Sequence, residues 1–137
     1  MTPQLPAPTP MINPETQYYW DAAKSGRFVL KRCRACGVVV WYPRAICPDC
    51  WSTDTEWFEA SGRGSVYTFT IVRRGAGPYA ECGPYVVAYV ELAEGPRVMT
   101  NIVGDDVLSR IEIGSAVEVV FHPTNDAVTA LPRFRLT

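Results

Sequence analysis

The sequence has 137 residues, which is enough for one domain with a real hydrophobic core. Its 13 lysine and arginine residues nearly balance 14 aspartate and glutamate residues, and the net charge of −1 argues against a general affinity for nucleic acid or anionic membranes. The longest apolar runs fall far short of the roughly 20 residues of a membrane span, and no secretory signal is visible. We therefore predict a cytoplasmic protein whose thiols stay reduced.

The chain begins with a proline-rich segment that is followed by the signals of a helix. Residues 1–12 contain four prolines and little that could be buried, so they are predicted to be a disordered tail or an interdomain linker. The linker interpretation would make the chain a module of a longer protein. A helix is predicted over 13–26, because Asn13 can cap it, Pro14 suits its first position and Gly26 can end it.

Three consecutive aromatic residues lie in this predicted helix. Tyr18, Tyr19 and Trp20 cannot all face one core, because successive helical residues point in different directions. In one interpretation Tyr19 and Ala23 pack on the domain and the other two rings are partly exposed. In the other, exposed aromatic side chains anchor a partner protein. The sequence leaves both interpretations open.

Four of the five cysteines form two C-x2-C pairs in the segment 27–60, which is also rich in short β-prone runs. The pairs are Cys33 with Cys36 and Cys47 with Cys50, and ten residues separate them. This spacing predicts a zinc ribbon, in which four thiolates hold one structural metal ion. Four protein ligands close the tetrahedron, so a catalytic zinc with an open position is not expected.

Other uses of the four cysteines are less consistent with the sequence. Two disulfides or a dithiol redox site are disfavoured by the double-pair spacing and by the predicted compartment. Iron uses the same four-thiolate ligand set, and the spacing does not distinguish it from zinc. Four thiolates around a divalent ion carry a net charge of −2, which nearby basic residues could offset. These are Lys31, Arg32, Arg34 and Arg44.

The segment 61–137 is predicted to be all-β apart from one short helix-like insertion near Asp105. Its first run alternates, with Tyr67, Phe69 and Ile71 predicted on one face. Three strands, a short helix and two further strands follow the order of the OB-fold, a five-stranded barrel. The predicted fold class is therefore mainly β: an N-terminal helix, a rubredoxin-like zinc ribbon and an OB-fold barrel.

No catalytic apparatus is evident in this sequence. The fifth cysteine, Cys82, and the single histidine, His122, could form a nucleophile–base dyad, but a free thiol and a solvated loop histidine are the favoured interpretation. Two pairs of arginines form small basic spots that are either solvated strand ends or contacts for a phosphate or an acidic partner. They are Arg73 with Arg74, and Arg133 with Arg135.

Several stretches resemble a family of bacterial and archaeal proteins that join a helix and a zinc ribbon to an OB-fold, once filed as a domain of unknown function and later tied to acyl-CoA metabolism. They are "YYWDAAKSGRFVLKRCRACG", "YPRAICPDCWS", "WFEASGRGSVYTFTIV", "GPYVVAYVELAEGPRVMTNIVG", "IGSAVEVVF" and "LPRFR". The resemblance covers nearly everything after residue 13. One departure is "CPDCWS", where ribbons often have glycine after the last cysteine, and it leaves the geometry of that turn open.

The resemblance implies an accessory module that binds a thiolase-superfamily enzyme and supports its action on a CoA thioester. In one version the partner is a lipid-transfer-protein-like aldolase that cleaves a steroid side-chain CoA ester by a retro-aldol reaction, and the module is often fused behind a hydratase. In another version it bridges an acetoacetyl-CoA thiolase to hydroxymethylglutaryl-CoA synthase. The steroid aldolase version is favoured here, and the nucleophile or base then lies on the partner rather than on this chain.

The predicted functional residues follow from exposure expected from the sequence. The partner-binding candidates are Tyr18, Tyr19, Trp20, Tyr79 and Tyr85. Arg73 and Arg74 are weaker candidates for contacts with the CoA phosphates. Two other classes stay open: a nucleic-acid-binding module, because zinc ribbons and OB barrels both serve that role, and a free-standing CoA-ester enzyme that uses Cys82 or His122.

Overall fold

The structure, a computed structural model, describes residues 5–137 and has one small sheet, one closed barrel, two α-helices and a single 3-10 turn (Gly77–Tyr79) in that range. Three residues, 60–62, link the sheet to the barrel, and the predicted fold class is confirmed. Within the described range neither helix is long and apolar enough to cross a membrane. The elements in chain order are α1 (Gln17–Lys24), β1 (Val29–Cys33), β2 (Val39–Val40), β3 (Thr55–Glu59), β4 (Arg63–Val72), β5 (Tyr85–Leu92), β6 (Arg97–Val103), α2 (Val107–Arg110), β7 (Ala116–Pro123) and β8 (Ala130–Leu136).

Helix α1 is shorter than the predicted 13–26. Asn13 does not cap it: the Asn13 side-chain oxygen accepts a hydrogen bond from the Thr16 backbone N–H in a preceding turn, and Thr16 is the N-cap residue. The C-terminal end agrees better, because Gly26 adopts a φ of +77° and the Arg27 N–H donates to the Ala22 carbonyl. The local turn thus uses the polar side chain that the sequence suggested as the cap.

The ribbon sheet has the antiparallel order β2-β1-β3, with β1 at its centre. Strand β1 pairs with only two residues of β2, whereas it pairs with all five residues of β3. Beyond this sheet the ribbon is made of turns between 34 and 54. Backbone hydrogen bonding alone therefore holds that end of the ribbon weakly.

The barrel closes in the order β4-β5-β6-β8-β7, and β7 pairs back to β4. Strands β6 and β8 are parallel, which is the arrangement of an OB-fold. The predicted faces of β4 need correction. A register shift between Val66 and Thr68 breaks the alternation, so Val66 is buried while Tyr67 is exposed. Phe69 and Ile71 are partly buried and pack against the core.

Helix α1, the base of the ribbon and the barrel share one hydrophobic core. The Phe28 ring meets the Phe134 ring edge to face, with centroids 6.1 Å apart. The Thr129 hydroxyl donates a buried 2.7 Å hydrogen bond to the carbonyl of Trp20, which ties β8's preceding turn to α1. A second, much smaller cluster consists of Cys33, Val40 and Cys47 and lies at the far end of the ribbon.

Residues 5–9, which we call the strap, lie against the barrel without forming a helix or strand. They belong to the segment that the sequence predicted as a disordered tail, whose first four residues lie outside the described part. Ala7 is only 2% exposed, and its carbonyl accepts a 2.9 Å hydrogen bond from the Asn125 N–H. The Tyr79 hydroxyl donates to the Pro6 carbonyl at 3.2 Å. This contact surface was not evident from composition.

Candidate metal centre and surrounding surface

The two cysteine pairs form equivalent turns. In the first, the Gly37 N–H donates to the Cys33 carbonyl at 2.8 Å, and Gly37 has a φ of +81°. In the second, the Trp51 N–H donates to the Cys47 carbonyl at 2.9 Å, and Trp51 has a φ of +67°. The departure "CPDCWS" therefore leaves the turn geometry intact, but it places a tryptophan in the left-handed region that favours glycine.

The structure brings the four predicted ligands together. All four Sγ atoms lie within 4.8 Å of one another; Cys33 and Cys50 are 3.5 Å apart, and Cys36 and Cys47 are 3.7 Å apart. All four are free thiols, so the disulfide alternative is not observed. Zinc–sulfur bonds of about 2.3 Å in a tetrahedron require sulfur separations of about 3.8 Å, and these distances fit that requirement. The cluster is a structural metal-binding site with no open coordination position.

Backbone N–H groups directed at the sulfur atoms favour thiolates, but the close approach of the thiols and their burial leave the pKa values of Cys36 and Cys50 raised. The backbone N–H of Cys36 is the main cause that lowers the pKa of the Cys33 thiol to about 7. Such N–H groups directed at sulfur are typical of thiolate metal sites. A bound metal ion would supply a cross-link between the two turns, through Cys33, Cys36, Cys47 and Cys50.

The basic residues near the cluster are largely engaged elsewhere. Lys31 donates to the Arg44 carbonyl at 3.3 Å and lies 4.9 Å from the centroid of the Trp57 ring. Arg34 forms an exposed ion pair with Glu56 at 3.1 Å. The predicted charge compensation by these side chains is therefore shared with carboxylates and aromatic rings.

Helix α1 exposes only one of its three consecutive aromatic residues. Tyr19 and Trp20 are buried in the shared core, where burial raises the pKa of Tyr19 and the Trp20 indole N–H donates to the Tyr42 hydroxyl at 2.9 Å. Tyr18 is 44% exposed, with its ring centroid 4.9 Å from that of Trp57. Tyr19 and Trp20 thus serve the fold, and Tyr18 alone stays available to a partner.

The two other tyrosines predicted for partner binding lie together on the barrel. The Tyr79 and Tyr85 rings have centroids 5.2 Å apart, and both residues are half-buried. Tyr85 lines a cavity of about 310 Å³ at the barrel surface, and Leu5 of the strap lines it too. The Tyr79 hydroxyl donates its hydrogen bond to the strap.

Arg73 and Arg74 follow the end of β4 and are exposed. Within residues 5–137 the structure gives neither of them an ion pair or a side-chain hydrogen bond. Two adjacent guanidinium groups of this kind can accept an anionic ligand without breaking an internal contact. The predicted second basic spot does not exist as such, because Arg133 is buried whereas Arg135 is exposed and paired with Glu118.

Cys82 and His122 both line the 310 Å³ cavity, but they are hydrogen-bonded to other groups. The Cys82 thiol donates to the Tyr79 carbonyl at 3.3 Å. Arg133 Nη1 lies 3.1 Å from His122 Nδ1 and, as a guanidinium, donates to it, which places the imidazole proton on Nε2. Burial, followed by the charge of Arg133, lowers the pKa of His122. The described residues show no hydrogen bond between Cys82 and His122.

Two features of the structure were not predicted from the sequence. Trp51 is 79% exposed and Ile46 is 47% exposed, and both line one cleft beside the metal site. The sequence held one signal for this surface: Trp51 follows the last cysteine, where ribbons often have glycine. The other feature is the buried Arg133, for which the sequence offered no signal beyond its place in a strand.

Two family models match the chain side by side. Residues 20–56 match the rubredoxin-like zinc ribbon domain of ChsH2, and residues 57–122 match its C-terminal OB-fold domain. A solved structure described as "Ltp2-ChsH2(DUF35) aldolase" contains a chain that is 39% identical. The match covers 93% of this chain and 98% of that one, with a TM-score of 0.81.

Curated relatives include longer proteins. The "Probable enoyl-CoA hydratase alpha subunit" of Thermomonospora curvata is 40% identical over 97% of this chain, which spans 41% of that protein. The "Benzoylsuccinyl-CoA thiolase subunit BbsA" of Geobacter metallireducens is 36% identical over 54% of this chain and 49% of that protein. The order of the two family matches agrees with the observed ribbon and barrel. The chain therefore belongs to the ChsH2-type DUF35 family of zinc-ribbon and OB-fold proteins.

Proposed function

We propose that this chain is an accessory module that binds a thiolase-superfamily enzyme and supports its action on a CoA thioester, through retro-aldol cleavage of a steroid side-chain CoA ester. The observation that carries the proposal is the match over nearly the whole chain to the DUF35 chain of an aldolase complex. The thiolase subunit among the relatives supports a partner of the thiolase type. In this proposal the protein acts in the cytoplasm.

The groups of this chain that could perform chemistry are better suited to structure than to catalysis. The four clustered thiols saturate one metal ion, which we propose to be zinc. The Cys82 thiol and His122 Nδ1 are hydrogen-bonded to other groups. We therefore place the catalytic base on the partner. This module would brace the entrance of the partner's active site, exclude water and fix the orientation of the thioester.

We propose Tyr18, Tyr79 and Tyr85 for partner contact, and Arg73 with Arg74 for the CoA phosphates. Tyr18 is supported by its exposure, and the two arginines by their exposure and freedom from ion pairs among the described residues. Tyr79 and Tyr85 are supported by their position beside the barrel cavity. An exposed aromatic ring braced by a second ring loses little entropy on binding, which suits an anchor residue.

Co-expression with the thiolase-like partner tests the proposal. We expect a stable heteromer that cleaves the steroid side-chain CoA ester, while the purified chain alone shows no turnover. Tyr18→Ala should weaken the heteromer by about tenfold or more. Tyr67→Ala is the matched control, because Tyr67 is 47% exposed but is not one of the proposed partner contacts. Turnover by the chain alone that disappears in Cys82→Ala would overturn the proposal.

A kinetic comparison tests the two arginines separately. The double variant Arg73→Ala, Arg74→Ala should raise the KM of the heteromer for the CoA ester and leave kcat nearly unchanged, because the phosphates lie far from the reacting bond. Arg63→Ala is the control, since Arg63 is exposed at the other end of the same strand. If Arg63→Ala raises the KM for the CoA ester as much as the double variant does, Arg73 and Arg74 do not bind the CoA phosphates.

The barrel surface gives little support to a nucleic-acid-binding function. Tyr67 and Tyr89 are exposed and could stack with bases. However, the Arg97 guanidinium above the Tyr67 ring is paired with Glu91 at 3.0 Å, so its charge is already compensated. Single-stranded oligonucleotides should therefore show no salt-dependent binding in a fluorescence titration. Such binding would favour the nucleic-acid class instead.

A further inference from the structure

Arg133 is a buried cation whose hydrogen-bond partners are neutral. It is 2% exposed, and burial lowers the pKa of its guanidinium. Nη1 donates to His122 Nδ1 at 3.1 Å and to the Leu5 carbonyl at 3.5 Å. Nη2 donates to the Pro6 carbonyl and to the Tyr79 hydroxyl, the latter at 3.5 Å. Its hydrogen bonds within residues 5–137 include none to a carboxylate. A buried guanidinium normally takes a carboxylate or phosphate as its partner, so this arrangement calls for an explanation.

The neutral acceptors come mainly from the strap, which is a replaceable element. It has no regular secondary structure, and few contacts fasten it: the Ala7 carbonyl accepts from Asn125, and the polar Thr9 side chain is the main cause that lowers the pKa of the nearby Asp126 carboxyl. The Tyr79 hydroxyl also donates to the Pro6 carbonyl. Segments held by a few hydrogen bonds open at much lower free energy than a barrel does.

We propose that Arg133, with Tyr79, is an oxyanion-binding site that the strap occupies through the carbonyl oxygens of Leu5 and Pro6. The two neighbouring carbonyl oxygens accept hydrogen bonds from two guanidinium nitrogens, as the two oxygens of a carboxylate or phosphate do. An oxyanion makes the stronger pair, because its charge compensates the guanidinium. The strap and a small oxyanion ligand therefore compete for the same donors.

The surroundings of Arg133 offer room for a small ligand. Arg133 and Tyr79 line a cleft of about 260 Å³ together with Trp20 and Asn101. A second cleft of about 440 Å³ lies along the strap and is lined by Pro6, among others. An oxyanion of a few heavy atoms fits the 260 Å³ cleft, which the Arg133 and Tyr79 side chains line. Tyr79 is also a proposed partner contact, but this inference is tested on the chain alone and does not depend on the proposed function.

Cys82 provides a reporter of strap displacement. It lines the 440 Å³ cleft beside the strap and the neighbouring 310 Å³ cavity. The other four cysteines are held by the metal ion when the protein is loaded, so Cys82 is the thiol that a mild alkylating reagent reaches. Displacement of the strap should therefore raise the alkylation rate of Cys82.

The test uses the metal-loaded full chain and inorganic phosphate as the probe, at constant ionic strength set with sodium chloride. We expect phosphate to raise the alkylation rate of Cys82 several-fold and saturably, while chloride does not. Arg133→Gln should abolish the phosphate effect. Arg135→Gln is the matched control, because Arg135 lies two residues further along β8, is exposed and pairs with Glu118. An effect that is absent in the natural sequence, or lost equally in Arg135→Gln, would overturn the proposal.

Thr9→Val provides a second test that leaves the donors of Arg133 untouched. It removes the Thr9 hydroxyl, whose interaction with Asp126 helps to fasten the strap, so the phosphate concentration for half of the full effect should fall by about threefold. This variant keeps the proposal testable if Arg133→Gln does not fold. If the strap is only structural, Thr9→Val will raise the basal alkylation rate and leave it independent of phosphate, which would also refute the proposal.

Discussion

The barrel and the far end of the ribbon are stabilised in different ways. Every barrel strand is hydrogen-bonded to a neighbour on each side, and the barrel interior belongs to the large core shared with α1. The far end of the ribbon has a cluster of Cys33, Val40 and Cys47 and a two-residue strand. Apolar burial can hold the first region, whereas the second has too little buried surface and needs a metal ion as a cross-link.

The largest expected effect comes from removing the metal or one ligand. Cys47→Ser should unfold the ribbon beyond the base of β1 and abolish association with the partner, because structural zinc contributes about 10–16 kcal/mol to such sites. The barrel should stay folded, since its hydrogen bonds and core do not involve the cluster. Amide NMR spectra would show barrel signals retained and ribbon signals collapsed.

The control for that prediction is Cys82→Ser, which should retain both the metal and the ribbon spectrum. Complete unfolding of the chain by Cys47→Ser would show that the two regions are one cooperative unit. Binding of the partner by the metal-free variant, with only the chemistry lost, would contradict a structural role of the metal.

A smaller effect is expected from Phe134→Ala, which opens a cavity where the barrel meets the ribbon base. Phe134 is buried against Phe28, so the loss should be about 3–5 kcal/mol of unfolding free energy. Denaturant unfolding followed by circular dichroism measures it. The affinity for the metal in the folded protein should not change, and a reduced affinity would contradict the separation of the two regions. Tyr67→Ala, on the barrel surface, is the control and should change stability little.

The smallest effect is expected from Trp51→Gly. Trp51 has a φ of +67°, which costs a residue with a side chain about 1–2 kcal/mol relative to glycine. The change should therefore make the ribbon more resistant to a chelator, measured as slower loss of metal. Gly37→Ala, at the equivalent position of the other turn, should instead make the ribbon lose its metal to a chelator faster. Weaker partner binding in Trp51→Gly would indicate that the strained, exposed ring contacts the partner.

The metal site could be predicted from the sequence because its information is local. Two residues between cysteines define a turn, and Gly37 adopts the positive φ that such a turn needs. The order of the barrel strands followed from alternating patterns and turn residues. The faces of β4 could not be predicted in the same way, because the register shift at Tyr67 depends on pairing with β5.

The surface residues were harder to predict. Tyr18 and Trp20 stand two positions apart in one helix, yet Tyr18 is exposed and Trp20 is buried against Tyr42, which is distant in sequence. Arg133 and Arg135 stand two positions apart in one strand. The first is buried under the strap and the second is paired at the surface. The difference in burial within each pair could not be predicted from the residue types or from their spacing.

The sequence by itself determined the ligand set of the metal, the mainly β class and the family, because each depends on residue types at fixed short spacings or along single strands. The tertiary structure decided which aromatic side chains are exposed, that the strap lies on the barrel, and that Arg133 takes carbonyl oxygens as its partners. These features depend on contacts between segments distant in sequence, and those between Arg133 and the strap join residues more than a hundred positions apart. Such contacts arise only when the barrel closes and the whole core packs.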